Sequence, residues 1–470
     1  MSLQIHRRAV LAAAGLALPA AAIAQPQAQA GPFRFKGWKG QETDAERGFF
    51  EAPEDRRDPR SRRIRLHYVR FASTNPRPGP PIVYLAGGPG GTATGTFTGP
   101  RFPILLALRE VCDVIAFDQR GTGLSNHIPR RPRPSGPVPL FTRAGLTAHM
   151  RTELQRAWAD WTAKGVAMRG YNTNESADDI EDLRQHLAAD KISLWGISYG
   201  SHLGLAVLKR HGRHVDRVAL ASLEGQDQTV KRPARWDGYI EQVAALAGAP
   251  GLPDLMRRVH TRMEADPVPM SLRFGGPAPV DVRVGGFPVQ MAAGSLAANP
   301  DTLAMLPRLY SMLDAGKTEM FSAFAGQMGG VLGIEGMPEA MDLASGISPR
   351  KLAMVEREAR TSVIGDALNF PMPHLLGAIP GADLGEDFRR PIHIAHPALL
   401  VAGSLDGRTV LAEQAEVAAQ FRNKSQVLVE NAGHNVFEAH PEVQAMLVRF
   451  FRGERVPDTG LALPPPKFQV

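Results

Sequence analysis

Five residues, Gly196-Ile197-Ser198-Tyr199-Gly200, constrain the fold of this 470-residue chain more than any other stretch. Residues 191–195 before them read as a short buried strand, and residues 201–210 after them carry apolar side chains at helical spacing. Ser198 is thereby predicted to sit on a strand-to-helix turn. In that setting G-x-S-x-G holds the serine in a strained backbone conformation, and its glycines let the strand and helix approach closely. The same five residues also fit a serine that merely caps a helix, so the rest of the chain must decide between the two readings.

Other apolar strands are predicted on either side. Residues 47–51 and 63–71 read as early strands, the second with polar and apolar residues alternating. Residues 81–86 form a continuous apolar run that ends in the glycine turn 87–91, and residues 111–117 form another that ends in Asp118-Gln119-Arg120-Gly121-Thr122-Gly123. Runs this apolar are characteristic of parallel strands buried on both faces. A capped, acid-opened helix over 174–187 connects to the strand at 191, and repeated crossovers of this kind predict a doubly wound α/β sheet. Further strands are predicted at 214–222, 396–403 and 425–430, with helices at 411–421 and 441–451. Between 226 and 390 the patterns are mainly helical, for example 301–313 and 349–361, with Gly/Pro breaks.

The predicted organisation is an export signal and tether over 1–30, a first core part over 31–225, a lid over 226–390 and a second core part over 391–470. The Pro-rich tail from Leu463 is predicted to be loose, and the Gln/Ala/Pro/Gly-rich stretch 25–45 is read as a tether into the fold. At the N-terminus, His6-Arg7-Arg8 precedes an apolar run over 9–23 with small residues at 22–24 and 28–30, which reads as a signal peptide, with the paired arginines hinting at the twin-arginine route. The mature protein is therefore expected in a periplasm or outside the cell, beginning near residue 25 or 31. The net charge is +7, but the basic residues are scattered or gathered in loops such as 129–134, and no nucleic-acid motif accompanies them. The single cysteine, Cys112, excludes an intrachain disulfide and reads as a small buried hydrophobe.

A serine hydroxyl needs a neighbouring base, and the base an orienting carboxylate. Asp406 follows the strand 396–403 and His434 follows the strand 425–430, so both fall just past strand carboxyl ends, as Ser198 does. A sheet would bring all three to one edge in the order Ser, Asp, His. The oxyanion of an acyl-transfer intermediate needs fixed donors, and the backbone N–H groups of Tyr199 and Gly88 are the candidates, with Gly87 beside them. A glycine turn after a strand could also cradle phosphate, but the Lys-Ser/Thr of a P-loop and the spacing of G-x-G-x-x-G are both missing.

The turn Gly87-Gly88-Pro89-Gly90, the segment 118–123, the serine turn, Gly403-Ser404-Leu405-Asp406 and Gly433-His434 together resemble the α/β-hydrolase serine peptidase family of proline iminopeptidases and tripeptidyl aminopeptidases. The resemblance runs from about Glu46 to Phe451 and is weakest in the lid. It implies an α/β-hydrolase fold with an inserted, mainly helical lid, and removal of residues from peptide N-termini. Ala86 stands where proline iminopeptidases usually carry histidine, which favours the secreted tripeptidyl branch. An exopeptidase must meet an ammonium group with carboxylates, and Glu224, at the end of the strand before the lid, is the best-placed candidate. Asp227, Glu335, Glu339 and Asp342 are others, although each could equally cap a helix or face solvent. Arg120 reads as a pin for its own turn.

The expected activity is a secreted serine aminopeptidase. A carboxylic-ester hydrolase would use the same triad, and a noncatalytic binding protein could use the same scaffold, though it would be expected to have lost one of the catalytic residues. A peptide or small molecule is the expected substrate. No cofactor, metal or nucleic acid is expected, nor a membrane once the signal is removed, and the oligomeric state is left open.

Overall fold

The computed structural model describes residues 29–131, 141–273, 279–325 and 333–469. Residues 1–28, which carry the export-signal reading, lie outside them, as does part of the basic loop 129–134. The strands, in chain order, begin with β1 (Gly31–Lys36), β2 (Glu42–Pro53), β3 (Arg63–Phe71), β4 (Gly79–Leu85), β5 (Cys112–Phe117) and β6 (Ile192–Ile197). They continue with β7 (Val215–Ala221), β8 (Val268–Leu272), β9 (Val280–Val284), β10 (Ala398–Gly403), β11 (Lys424–Glu430) and β12 (Thr459–Ala462).

One sheet holds all of these but β8 and β9, in the order β1-β2-β3-β5-β4-β6-β7-β10-β11-β12. The first four neighbours pair antiparallel, and from β5 through β12 every pairing is parallel. The apolar runs explain the parallel part. Along β4, Ile82 and Tyr84 join one hydrophobic layer and Val83 and Leu85 the opposite one. The first layer is covered by the helices Phe102–Leu108 and Pro441–Phe451, the second by Thr173–His186 and Tyr199–His211. Each such buried aliphatic side chain contributes roughly 2 kcal/mol.

Two segments not predicted as strands, one in the predicted tether and one in the tail predicted to be loose, are ordered. Residues 31–36 form the edge strand β1, because Phe33 and Phe35 alternate with Arg34 and Lys36, and the Phe35 ring packs at 5.0 Å on Phe71 and 5.9 Å on Phe102. The C-terminal tail adds β12 beside β11 and then runs on as a strap. Leu463 donates its N–H to Glu430 O (3.0 Å), Phe468 packs on the insertion, and Gln469 N–H reaches Ala304 O (2.8 Å). Prolines at 464–466 suit an extended strap that needs no ladder donors.

The chain between β7 and β10 leaves the main sheet and builds its own hydrophobic layer from helices such as Pro233–Leu246, Leu252–Ala265 and Gly286–Leu296. It is not purely helical, since β8 and β9 form an antiparallel hairpin. The helix Arg143–Ala163, which no periodicity announced, bridges the two layers: Leu146 is buried in the insertion, Ala157 and Trp161 in the main core.

Candidate active site

Strand β6 ends at Ile197 and the helix begins at Tyr199, so the whole reversal falls on Ser198, with φ 57° and ψ −129°. A non-glycine residue there costs about 1–3 kcal/mol and persists only where its surroundings hold it. They do. Ser198 N–H donates to Ala221 O on β7 (3.1 Å), while Ser198 O accepts from Ser201 N–H and Ser201 Oγ, both at 2.7 Å. A side chain at position 200 would run into the Leu85 backbone on β4, and one at 196 would come within 2.8 Å of Gly200 O. The elbow therefore closes only with glycine at both ends.

β10 delivers Asp406 and β11 delivers His434. The two meet, with His434 Nδ1 3.0 Å from each Asp406 carboxylate oxygen. This pairing puts the Nδ1 proton toward the carboxylate and leaves Nε2 to accept one. Asp406 is fully buried, and it also accepts from Arg408 N–H (2.9 Å), Thr409 N–H (2.9 Å) and Thr409 Oγ1 (2.6 Å). Burial works to raise its carboxyl, but His434 and the Thr409 donors outweigh it and hold the group below the ordinary carboxylate value. The end of β7 ties the serine and histidine loops together. Ala221 O receives Ser198 N–H, and the next residue, Ser222, donates its hydroxyl to His434 O (2.9 Å).

The glycine turn lies against the serine. A Cβ on Gly87 would be 3.2 Å from Ser198 Cβ, and Gly91 N–H closes the turn on Gly87 O (3.1 Å). Gly88 has φ +123°, a conformation that L side chains rarely adopt. Tyr199 N–H is the first of its helix, where amides have no carbonyl one turn back and the helix dipole favours negative charge. The lid helix Met337–Ser345 roofs this region. Pro338 packs on Gly90, Met341 Sδ accepts from Tyr199 Oη (3.2 Å), and Ser345 Oγ bonds His202 Nε2 (3.1 Å) on the serine's own helix.

The predicted carboxylates separate into different roles. Glu339 caps its own helix by accepting from Gly336 N–H (2.8 Å), Asp227 accepts from Ser348 N–H (2.8 Å) and Oγ (2.6 Å), and Glu335 is exposed. Glu224 is buried and ion-paired to Lys231 at 2.7 Å. Burial alone would raise its carboxyl, but Lys231 and His202 bring it below the ordinary value. Asp342 differs from all of these. It shares the roofing face of its helix with Pro338, Met341 and Ser345, at i, i+3, i+4 and i+7, and is partly exposed. Burial, and next the neighbouring Glu224, push its carboxyl up to about 8. Arg120 is fully buried against Asp179 (2.6 Å) and the carbonyls of Glu54 and Gly170, so it pins its turn. Burial pushes the Cys112 thiol up to about 11, which leaves it a neutral core residue.

Among the described residues no cluster of three or more His, Cys, Asp or Glu could hold a metal ion, and no helix is long and apolar enough to cross a membrane.

Tripeptidyl aminopeptidase of Streptomyces coelicolor is 27% identical to this chain over 242 residues, covering 45% of this chain and 43% of that protein. A probable proline iminopeptidase of the same organism is 27% identical over 223 residues, covering 47% and 49%. The chain thus spans less than half the length of these relatives. The crystal structure of a proline iminopeptidase from Mycobacterium smegmatis aligns over 86% of this chain and 98% of its own, at 15% identity and a TM-score of 0.42. Residues 80–441 match the family model for the alpha/beta hydrolase fold, and with the sheet, elbow and strand-end loops described above, this chain is a member of the α/β-hydrolase family.

Proposed function

We propose that the chain is an exported serine hydrolase that releases single residues or short peptides from peptide N-termini through an acyl-enzyme on Ser198. Export rests on the Arg7-Arg8 pair and the apolar run after it. In the proposed cycle Ser198 Oγ attacks the scissile carbonyl carbon as its proton passes to His434 Nε2. Asp406 stays ionised and stabilises the imidazolium. The oxyanion is met by the N–H groups of Gly88 and Tyr199. Collapse breaks the C–N bond, and His434 gives its proton to the departing amine. Water, deprotonated by the same histidine, then attacks the ester carbon and frees Ser198.

The observation that carries the exopeptidase reading is Asp342. A carboxyl on the roofing helix, ion-paired to no cation among the described residues and costly to ionise in place, is suited to receive the substrate's ammonium group. Glu224, ion-paired to Lys231, adds negative potential beside Asp342, which an incoming ammonium group would relieve. Turnover of chromogenic prolyl, alanyl and tripeptidyl amides, their N-acetylated forms, and short p-nitrophenyl esters tests the reading. Cleavage of free-amine amides with loss on acetylation is the expected pattern. Cleavage of esters alone would keep the triad and replace the aminopeptidase with an esterase.

A further inference from the structure

The loop that carries Asp406 is not held by the sheet alone. Leu405 and Val410, on either side of the acid, are buried in the hydrophobic layer of the insertion and not in either layer of the sheet. The insertion returns a backbone contact at each step. Where the helix Gly286–Leu296 ends, Ala297 O accepts from Gly407 N–H (3.0 Å), and the next carbonyl, Ala298 O, accepts from His434 N–H (2.7 Å). One residue further, Asn299 Oδ1 accepts from Asn435 N–H (3.3 Å). Consecutive residues of one lid segment therefore hold the loop of the acid and the loop of the base.

The buried hydroxyl of Tyr239, from the lid helix Pro233–Leu246, locks this arrangement. It lies 3.1 Å from Ala297 O and 3.2 Å from Leu405 O, so one donor bridges the lid segment to the residue before the acid. The fit leaves no slack: a Cβ on Gly407 would fall 2.6 Å from Ala297 O, and one on Gly433 would fall 2.6 Å from Ala298 O. An independent link joins the two loops directly, Leu405 N–H to Ala432 O at 2.8 Å.

We infer that the lid segment 297–299, locked by Tyr239, sets the position of Asp406 relative to His434, which makes Tyr239 a positioning residue of the catalytic apparatus. The insertion is then part of the frame of the triad as well as its cover. The inference rests on the proposed triad. It predicts that loosening this strut slows chemistry and leaves substrate binding alone, because a base displaced by a few tenths of an ångström loses alignment while the binding groups stay in place.

The test is Tyr239→Phe in the full mature protein, read by kcat and KM on the best amide substrate, by the rate of fluorophosphonate labelling, and by the low-field proton resonance of the His434–Asp406 hydrogen bond. Tyr239→Phe is expected to lower kcat and the labelling rate by about 10-fold, to leave KM within twofold, and to shift or broaden the resonance. Wild-type kcat with an unmoved resonance would overturn the inference. Should Tyr239→Phe fail to fold by circular dichroism, Asn299→Ala is the substitute. It is expected to lower kcat severalfold at constant KM, and unchanged kcat would overturn the inference. Failure of the triad reading looks different: the wild-type protein itself would then not be labelled at Ser198.

Discussion

Asp342, the proposed ammonium site, also bears on stability. Its carboxyl starts from an ordinary value of 3.8 and is pushed up to about 8 in the fold, by burial first and Glu224 second. Between those two values the folded protein keeps a proton that the unfolded chain has released. Stability is therefore lost progressively as pH rises from about 4 to about 8, and the full cost is present above that. The difference is about four pH units, which at 1.36 kcal/mol each sets a ceiling of roughly 6 kcal/mol; because the side chain is partly exposed, about 2 kcal/mol is the working figure. Asp342→Asn carries no charge in either state and removes this term. Calorimetric melts from pH 4 to 9.5 should show wild type and variant converging near pH 4, with the variant melting about 2–4 °C higher above pH 8. The same substitution should raise KM for free-amine amides by about 10-fold and leave short esters unaffected. For the wild type, KM for free-amine amides should pass through a minimum near pH 8, where Asp342 is about half ionised and the substrate amine is still partly protonated. Parallel melting curves across the whole range would refute the electrostatic argument, and an unchanged KM would refute the ammonium assignment.

Three further outcomes follow from the geometry. Gly87→Ala puts a methyl group 3.2 Å from Ser198 Cβ and 2.9 Å from Ile197 O, so kcat should fall by about 10–100-fold at nearly constant KM in steady-state assays. Glu438→Ala strips the bidentate partner (2.8 and 2.9 Å) from buried Arg101, and should lower stability by about 3 kcal/mol in denaturant titrations. Asp178 would be raised by burial, yet His211 and Arg210 bring it down to about 2. Its stabilisation is present above pH 3.8 and is lost as pH falls toward 2, so Asp178→Asn should flatten the acid side of the stability profile by about 1–2 kcal/mol.

The sheet and its strand-end loops were legible because their physics is local. Strands buried on both faces must be continuously apolar, as 81–86 and 191–195 are, and an elbow that presses on β4 must carry glycine. Gly87, Gly88, Ser198, Asp406 and His434 stand where such turns require them. What the sequence concealed is tertiary. The strut at 297–299 works mainly through backbone carbonyls, which any residue supplies, so no side-chain pattern marks it. Asp342 was one of five acidic candidates, and only its helix face and the lack of a side-chain partner among the described residues separate it from Glu339, which caps its own helix, and Glu224, which Lys231 neutralises. The strand β1 did carry a signal in the alternation of Phe33 and Phe35, but it is short and lies in a stretch rich in Gln, Ala and Gly. The C-terminal strap is Pro-rich and is anchored by contacts with partners more than 30 residues away, Asn431 and Ala304 among them.

The central claim is that Ser198 becomes acylated. It is tested most directly by intact-mass spectrometry of the purified protein, acid-quenched during turnover of an activated substrate, with Ser198→Ala in parallel. The account predicts a mass increase equal to one acyl group, located on the peptide that contains Ser198, which disappears on completion and is absent from a folded, inactive Ser198→Ala protein. Wild-type turnover by Ser198→Ala would contradict it.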